Sequence, residues 1–215
     1  MKENEKLLAH KLLQIKAIKL NPAKPFTWAS GWKSPIYCDN RKTLAYPEIR
    51  RMIYENFAEI IRTKYPDTEA IAGVATGAIA HGVMVAETLD LPFVYIRSSA
   101  KGHGLENRIE GAFSNGQKFV VVEDLVSTGG SSLSAVQALK TAGCRVLGMV
   151  AIFTYGFSQA VENFSKAGCT LDTLCDYSAL IHLALETGYI TEKDMQTLEI
   201  WRKDPERWVP AGQSS

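Results

Sequence analysis

The chain has 215 residues, 46% of them hydrophobic and 22% charged, with a formal net charge of +1 and a pI near 7.7. That is apolar material for the core of one ordinary globular domain, and the balanced charge excludes a general electrostatic pull toward nucleic acid or an anionic membrane. Any anion must be met by a local arrangement. The first twenty residues carry Glu3 and Glu5 and no long apolar run, which argues against a signal peptide, transit peptide or membrane span and makes the cytoplasm the expected location. Cys38, Cys144, Cys169 and Cys175 show neither CxxC spacing nor histidines at metal-ligand intervals, so they read as reduced, buried thiols.

In chain order, Leu8, Leu12, Ile15 and Ile18 recur at helical spacing and predict an amphipathic helix over residues 3–18, ended by Asn21-Pro22. Residues 26–41, FTWASGWKSPIYCDNR, read as short extended pieces broken by Gly31 and Pro35, a hairpin-like cap outside the main sheet. A helix follows over 48–63. The pattern then alternates: strands at 70–74, 93–97, 119–122, 145–153 and 170–175, with helices at 79–89 and from the glycine turn to about 142. Near-continuous Val, Ile and Ala in these strands require cover on both faces, so the class is α/β with a mostly parallel five-stranded sheet flanked by helices. Two amphipathic helices, 178–186 and 191–203, close the chain, the second with a Thr191/Asp194 capping pattern. The tail past Pro210 is expected to fray.

The segment with the most chemistry is FVVVEDLVSTGGS, residues 119–131. It places two carboxylates and a small-residue turn at the carboxyl end of a buried strand, where ligands bind in open α/β sheets. Gly129 and Gly130 let the backbone approach an anion, Ser127, Thr128 and Ser131 add hydroxyls, and the following helix aims its positive end at the same place. A monophosphate site is the inference. Glu123 and Asp124 would repel that phosphate, so they read as acceptors for sugar hydroxyls or as groups facing a metal, and the pair of functions describes ribose 5-phosphate. An ordinary capped strand-to-helix turn is the competing reading of the glycines alone. The pattern is neither a Walker A loop nor GxGxxG.

EDLVSTGGS resembles the phosphoribosyl pyrophosphate signature of type I phosphoribosyltransferases, and YIRSSAKGHG followed by LENRIEG resembles the catalytic loop of the orotate phosphoribosyltransferases. The resemblance implies the type I phosphoribosyltransferase fold in a single domain over 1–215, with a small N-terminal hood at about 1–45, a core at 46–175 and C-terminal helices at 176–205. It implies transfer of ribose 5-phosphate from phosphoribosyl pyrophosphate to orotate in pyrimidine synthesis, with Mg²⁺ held mainly by the substrate and Asp124 reaching it through water rather than as a direct ligand. Residues Glu123, Asp124, Leu125, Val126, Ser127, Thr128, Gly129, Gly130 and Ser131 would bind the substrate. Arg97, Lys101 and His103 would surround the leaving diphosphate on a mobile lid, a reading that suits a long glycine-containing loop between strands. The family's lid reaches into a partner's site, so a homodimer with shared active sites is implied, and nucleic acid and membrane are not expected partners.

FTWASGWKSPIYCDNR resembles the family's base-covering hood, with Ala29 where many members carry lysine, and GVATGAIA from Gly73 resembles the pyrophosphate loop, with Gly77 where some carry another. Lys33 or Arg41 would be the substitutes for the missing cations. After the fourth strand Thr154-Tyr155 stands where some members have an arginine for the orotate carboxylate, leaving Ser127 and Tyr37 to meet the base. A phosphoribosyltransferase for a purine or another pyrimidine is the nearest alternative. A non-catalytic regulator that binds the same sugar phosphate is a further one, disfavoured because twenty residues of balanced charge are too few for a winged helix.

Overall fold

The computed structural model describes residues 3–99 and 108–210. Lys101, His103 and the tail beyond Pro210 lie outside the described residues. From the N-terminus come helix α1 (Glu3–Gln14), strands β1 (Ile18–Leu20), β2 (Phe26–Thr27), β3 (Lys33–Ser34) and β4 (Ile36–Cys38), and a 3-10 stretch (Asn40–Ala45). Helix α2 (Pro47–Lys64), strand β5 (Ala70–Val74), helix α3 (Ile79–Leu89), strands β6 (Phe93–Ile96), β7 (Ile109–Glu110) and β8 (Lys118–Val126), and helix α4 (Gly130–Thr141) follow. Strand β9 (Arg145–Thr154), helix α5 (Ser158–Lys166), strand β10 (Leu171–Asp176) and helices α6 (Tyr177–Glu186) and α7 (Glu192–Lys203) complete the order.

These elements form two compact units, Leu44–Leu174 and the combination of Met1–Thr43 with Cys175–Ser215. In the larger unit the strand order β10-β9-β8-β5-β6-β7 gives a six-stranded sheet. The run β6-β5-β8-β9 is parallel, and β7 pairs antiparallel with β6. The five strands read from the sequence are all present, and the sixth is the correction. Strand β7 is two residues long and gives no periodic signal. Val120, Val121 and Val122 are fully buried, each contributing about 1.5–3 kcal/mol by leaving water. Helix α2 starts with Pro47 and buries Ile49, Ile53, Phe57 and Ile61 at helical spacing, packing against α3. Helix α5 has no counterpart in the sequence reading; only Ala160 and Phe164 are buried on it, too few positions to declare a period.

In the smaller unit, α1 ends at Gln14 rather than reaching residue 18, because Lys16 takes a left-handed conformation (φ 56°) and Ile18 enters β1 against Cys38 of β4. Ile15 and Ile18 fit a helical period by coincidence. Strands β2 and β3 form the hairpin expected of the hood. Its Trp28 ring meets Trp201 of α7 edge-on at 5.6 Å, and Trp201 Nε1–H donates to the Lys33 carbonyl at 3.2 Å. Helix α7 is capped by the reciprocal Thr191 and Asp194 bonds that the sequence pattern predicts. Cys144, Cys169 and Cys175 are buried, and burial pushes all three thiols up, whereas Cys38 is only half-buried.

Candidate active site

Parallel pairing sets Gly73 of β5 opposite Val122 of β8, so both strands end at the same edge of the sheet and both run into helix N-termini. After β8 the chain turns through Ser127, Thr128 and Gly129 into α4. Gly129 has φ +84°, and a Cβ there would lie 2.9 Å from the Phe164 ring, so backbone conformation and packing both select glycine. The N-cap residue of α4 is Gly129, which has no side chain with which to bond the first amides. Among the described residues nothing outside the helix's own backbone stands within 4 Å of a Cβ added at Gly130, and Gly130 and Ser131 are exposed. The turn is therefore open at the place where helix amides and dipole favour an anion. Asn163 Nδ2–H of α5 donates to the Thr128 carbonyl at 3.0 Å and holds the turn from below.

Strand β8 continues through both acids to Val126, four residues beyond the strand expected at 119–122. Glu123 is 4% exposed. One of its oxygens accepts the Asp124 backbone N–H at 2.9 Å, and the other accepts the Ser132 hydroxyl at 2.8 Å. Burial, and then the neighbouring Asp124 charge, push its pKa well above the carboxylate range. Asp124 is half-buried, and its carboxylate lies over Gly77, where an added Cβ would come within 2.8 Å of both carboxylate oxygens. Leu125 is half-buried; Val126 is buried, and its carbonyl accepts the Thr154 hydroxyl at 3.2 Å.

Arg97 follows β6 next to the turn after β5, since the Ala75 N–H donates to the Ile96 carbonyl at 2.8 Å. It is about one-third exposed and contacts Glu110 at 3.4 Å. Arg97 and Arg108 are also tied through the backbone: the Arg97 N–H donates to the Arg108 carbonyl, and Arg108 Nε–H donates to the Arg97 carbonyl, both at 2.9 Å. Tyr155, after β9, is buried between Phe153 and Phe157 in an aromatic cluster. Within the smaller unit Tyr37 is exposed beside Phe26, Lys33 donates to Thr27, and Arg41 pairs with Asp39. Both candidate substitute cations are thus engaged by close sequence neighbours.

Among the described residues no group of three or more His, Cys, Asp or Glu could hold a metal ion. Asp124 by itself is one carboxylate, fewer ligands than a divalent cation takes. The sequence reading missed Ser132, Asn163 and Phe164. Phe164 and Asn163 stand on a helix that gave no signal, and a serine inside α4 looks like any other helical serine.

A parallel sheet with an open, glycine-capped anion turn beside an acidic strand end defines an α/β protein of the kind that grips a phosphorylated ligand at the carboxyl edge of its strands. Residues 41–176 match the family described as phosphoribosyl transferase domain. The chain is 60% identical to an orotate phosphoribosyltransferase of Phocaeicola vulgatus over 97% of its own length and 98% of that protein, and 59% identical to one of Porphyromonas gingivalis over 97% and 99%. The crystal structure of orotate phosphoribosyltransferase from Aeropyrum pernix superposes with a TM-score of 0.74 at 26% identity, covering 86% of this chain and 99% of that one. The chain belongs to the phosphoribosyltransferase family, in its orotate branch.

Proposed function

We propose that this chain transfers the ribose 5-phosphate group of phosphoribosyl pyrophosphate to orotate, forming orotidine 5′-phosphate and pyrophosphate in pyrimidine synthesis. The observation that carries the reading is the open turn at Gly130, with α4 uncapped behind it and the Asp124 carboxylate beside it. The turn takes the 5′-phosphate through Ser127, Thr128, Ser131 and the helix amides. Asp124 accepts from the ribose hydroxyls. As the bond from C1 to the diphosphate breaks and positive charge builds on the sugar, Arg97 with Lys101 and His103 surrounds the departing oxygens and withholds water. Asp124 would stand near a substrate-held Mg²⁺, through water rather than as a direct ligand, and the cation would supply charge neutralisation of the diphosphate. Ser127 meets the base. The active form is a cytoplasmic homodimer with shared sites, and no helix among the described residues is long and apolar enough to cross a membrane.

A panel of bases offered with phosphoribosyl pyrophosphate and Mg²⁺ tests this. Orotate absorbance falls as orotidine 5′-phosphate forms, and adenine, hypoxanthine and uracil are left unchanged. Turnover of a purine with orotate untouched would transfer the reading to another branch of the family, and binding of the sugar phosphate with no turnover of any base would make the chain a regulator.

A further inference from the structure

Where β6 ends, one residue holds the Arg97 backbone from both sides. The Arg97 N–H donates to the Arg108 carbonyl and extends the antiparallel β6/β7 pairing by one residue, while the Arg97 carbonyl accepts from the Arg108 side-chain Nε–H, both at 2.9 Å. The same guanidinium donates through Nη1 to the Ser134 hydroxyl, also at 2.9 Å. Arg108 is 8% exposed, and its side-chain partners among the described residues are these two neutral oxygens. Burying a guanidinium is costly unless its donors are matched, and its planar fork holds two acceptors in a fixed relation that a flexible ammonium does not. Ser134 lies four residues beyond Gly130 and three beyond Ser131. It therefore stands one helical turn along the face of α4 that carries the open end of the phosphate turn. Arg108 thus links two places far apart in sequence, the point from which the Arg97 side chain departs and the helix whose N-terminus takes the 5′-phosphate.

We infer that Arg108 and Ser134 are positioning residues: the buried guanidinium bridges the end of β6 to α4 and fixes how far Arg97 stands from the phosphate turn, a spacing suited to a sugar with a phosphate at one end and a diphosphate at the other. This spacing role rests on the proposed reading of the α4 turn as the 5′-phosphate site and of Arg97 as a cation for the diphosphate, and adds two residues that touch neither group. Such a bridge acts only through Arg97, and only on a ligand that reaches both ends. A residue that merely stiffened α4 would act on the 5′-phosphate alone. A residue in contact with the ligand would act whether or not Arg97 were present.

Calorimetry on the full chain, with Mg²⁺ and no base, separates these roles. The ligands are phosphoribosyl pyrophosphate, which reaches both ends, and ribose 5-phosphate, which reaches the turn alone. Arg108→Ala should weaken phosphoribosyl pyrophosphate about tenfold, the size expected for a lost hydrogen bond from a charged group, and leave ribose 5-phosphate within about twofold. In an Arg97→Ala background the same replacement should change the affinity for phosphoribosyl pyrophosphate by less than about twofold, because the group it positions is gone. Equal weakening of both ligands in Arg108→Ala would overturn the bridge, as would a loss repeated in full in the Arg97→Ala background, or no loss at all. Should Arg108→Ala melt below the assay temperature, Ser134→Ala decides by the same three readings, with a loss of about fivefold for phosphoribosyl pyrophosphate, since Ser134 is exposed and its replacement spares the core. A wild-type chain that binds phosphoribosyl pyrophosphate but turns over no base would overturn the proposed transfer, while these constants still decide the bridge. One that does not bind it would sink both.

Discussion

Both the turn after β5 and the turn after β8 lead from a buried parallel strand straight into a helix, and neither helix has a side-chain cap. After β8 the residues are Ser127, Thr128 and Gly129, which bring their own hydroxyls and their own left-handed glycine. After β5 they are Ala75, Thr76, Gly77 and Ala78, with one hydroxyl, and the space beside Gly77 is taken by Asp124 from the neighbouring strand. One turn is shaped by its own residues and the other by a residue it meets only in the fold. A strand-turn-helix frame is thus generic, and what it binds depends on which side chains close over it.

Acid should separate the two regions most strongly. His81 stands in the first turn of α3, fully buried, and burial followed by the Arg50 charge lowers its pKa to about 4. A base whose folded value lies below the unfolded one takes up its proton first in the unfolded chain. Above about pH 6.5 both states are neutral and nothing changes; between about 6.5 and 4 only the unfolded chain is protonated, and stability falls by about 1.4 kcal/mol per pH unit, about 3 kcal/mol in all. Urea titrations across that range should show the wild type losing stability relative to His81→Gln as the pH falls, a comparison in which the opposite contribution of the raised Glu123 carboxyl is present in both and cancels. Parallel declines in the two would remove His81 as the cause.

At the β8 turn, Gly129→Ala imposes a side chain at φ +84° and drives its Cβ into the Phe164 ring. Left-handed strain alone costs about 1–2 kcal/mol, so kcat/KM for phosphoribosyl pyrophosphate should fall by about 30-fold, chiefly through KM. A variant with wild-type KM would show that the turn need not hold this shape to bind phosphate.

The same contrast explains what was legible in the sequence. Glu123 to Ser131 lie in one run, so the anion turn and its strand could be read from neighbouring residues, and the five buried strands announced themselves through unbroken Val, Ile and Ala. Phe164 and Asn163, which touch that turn from outside the run, stand on a short helix with two buried positions. Asp124 over Gly77 is a pairing across strands that no local pattern records.

Gly77→Ala probes that pairing. The new Cβ would overlap the Asp124 carboxylate, which can swing away because it is the end of a side chain, so folding should be spared while the ribose acceptor is displaced. An increase of about tenfold in KM for phosphoribosyl pyrophosphate, the worth of about 1.4 kcal/mol, is expected with a melting temperature near wild type. An unchanged KM would mean that Asp124 can be moved without cost to the sugar, and its assigned role would go.

The smallest effect belongs to Asn163, which donates to the Thr128 carbonyl of the β8 turn. Asn163→Ala removes one neutral hydrogen bond, about 1 kcal/mol, and should raise KM for phosphoribosyl pyrophosphate about fivefold with kcat nearly constant, since binding must then order a loosened free turn, whereas the bound complex and the transition state need that turn alike. Asn163→Asp is the sharper variant. A carboxylate cannot donate to that carbonyl and adds negative charge close to the phosphate position, so its KM should exceed that of the alanine variant, and the excess should shrink as salt screens the charge. Equal KM values for the two at low salt would place the phosphate too far from Thr128 to feel residue 163. In that case the brace would be a matter of folding, and the phosphate would be held from the α4 side of the turn alone.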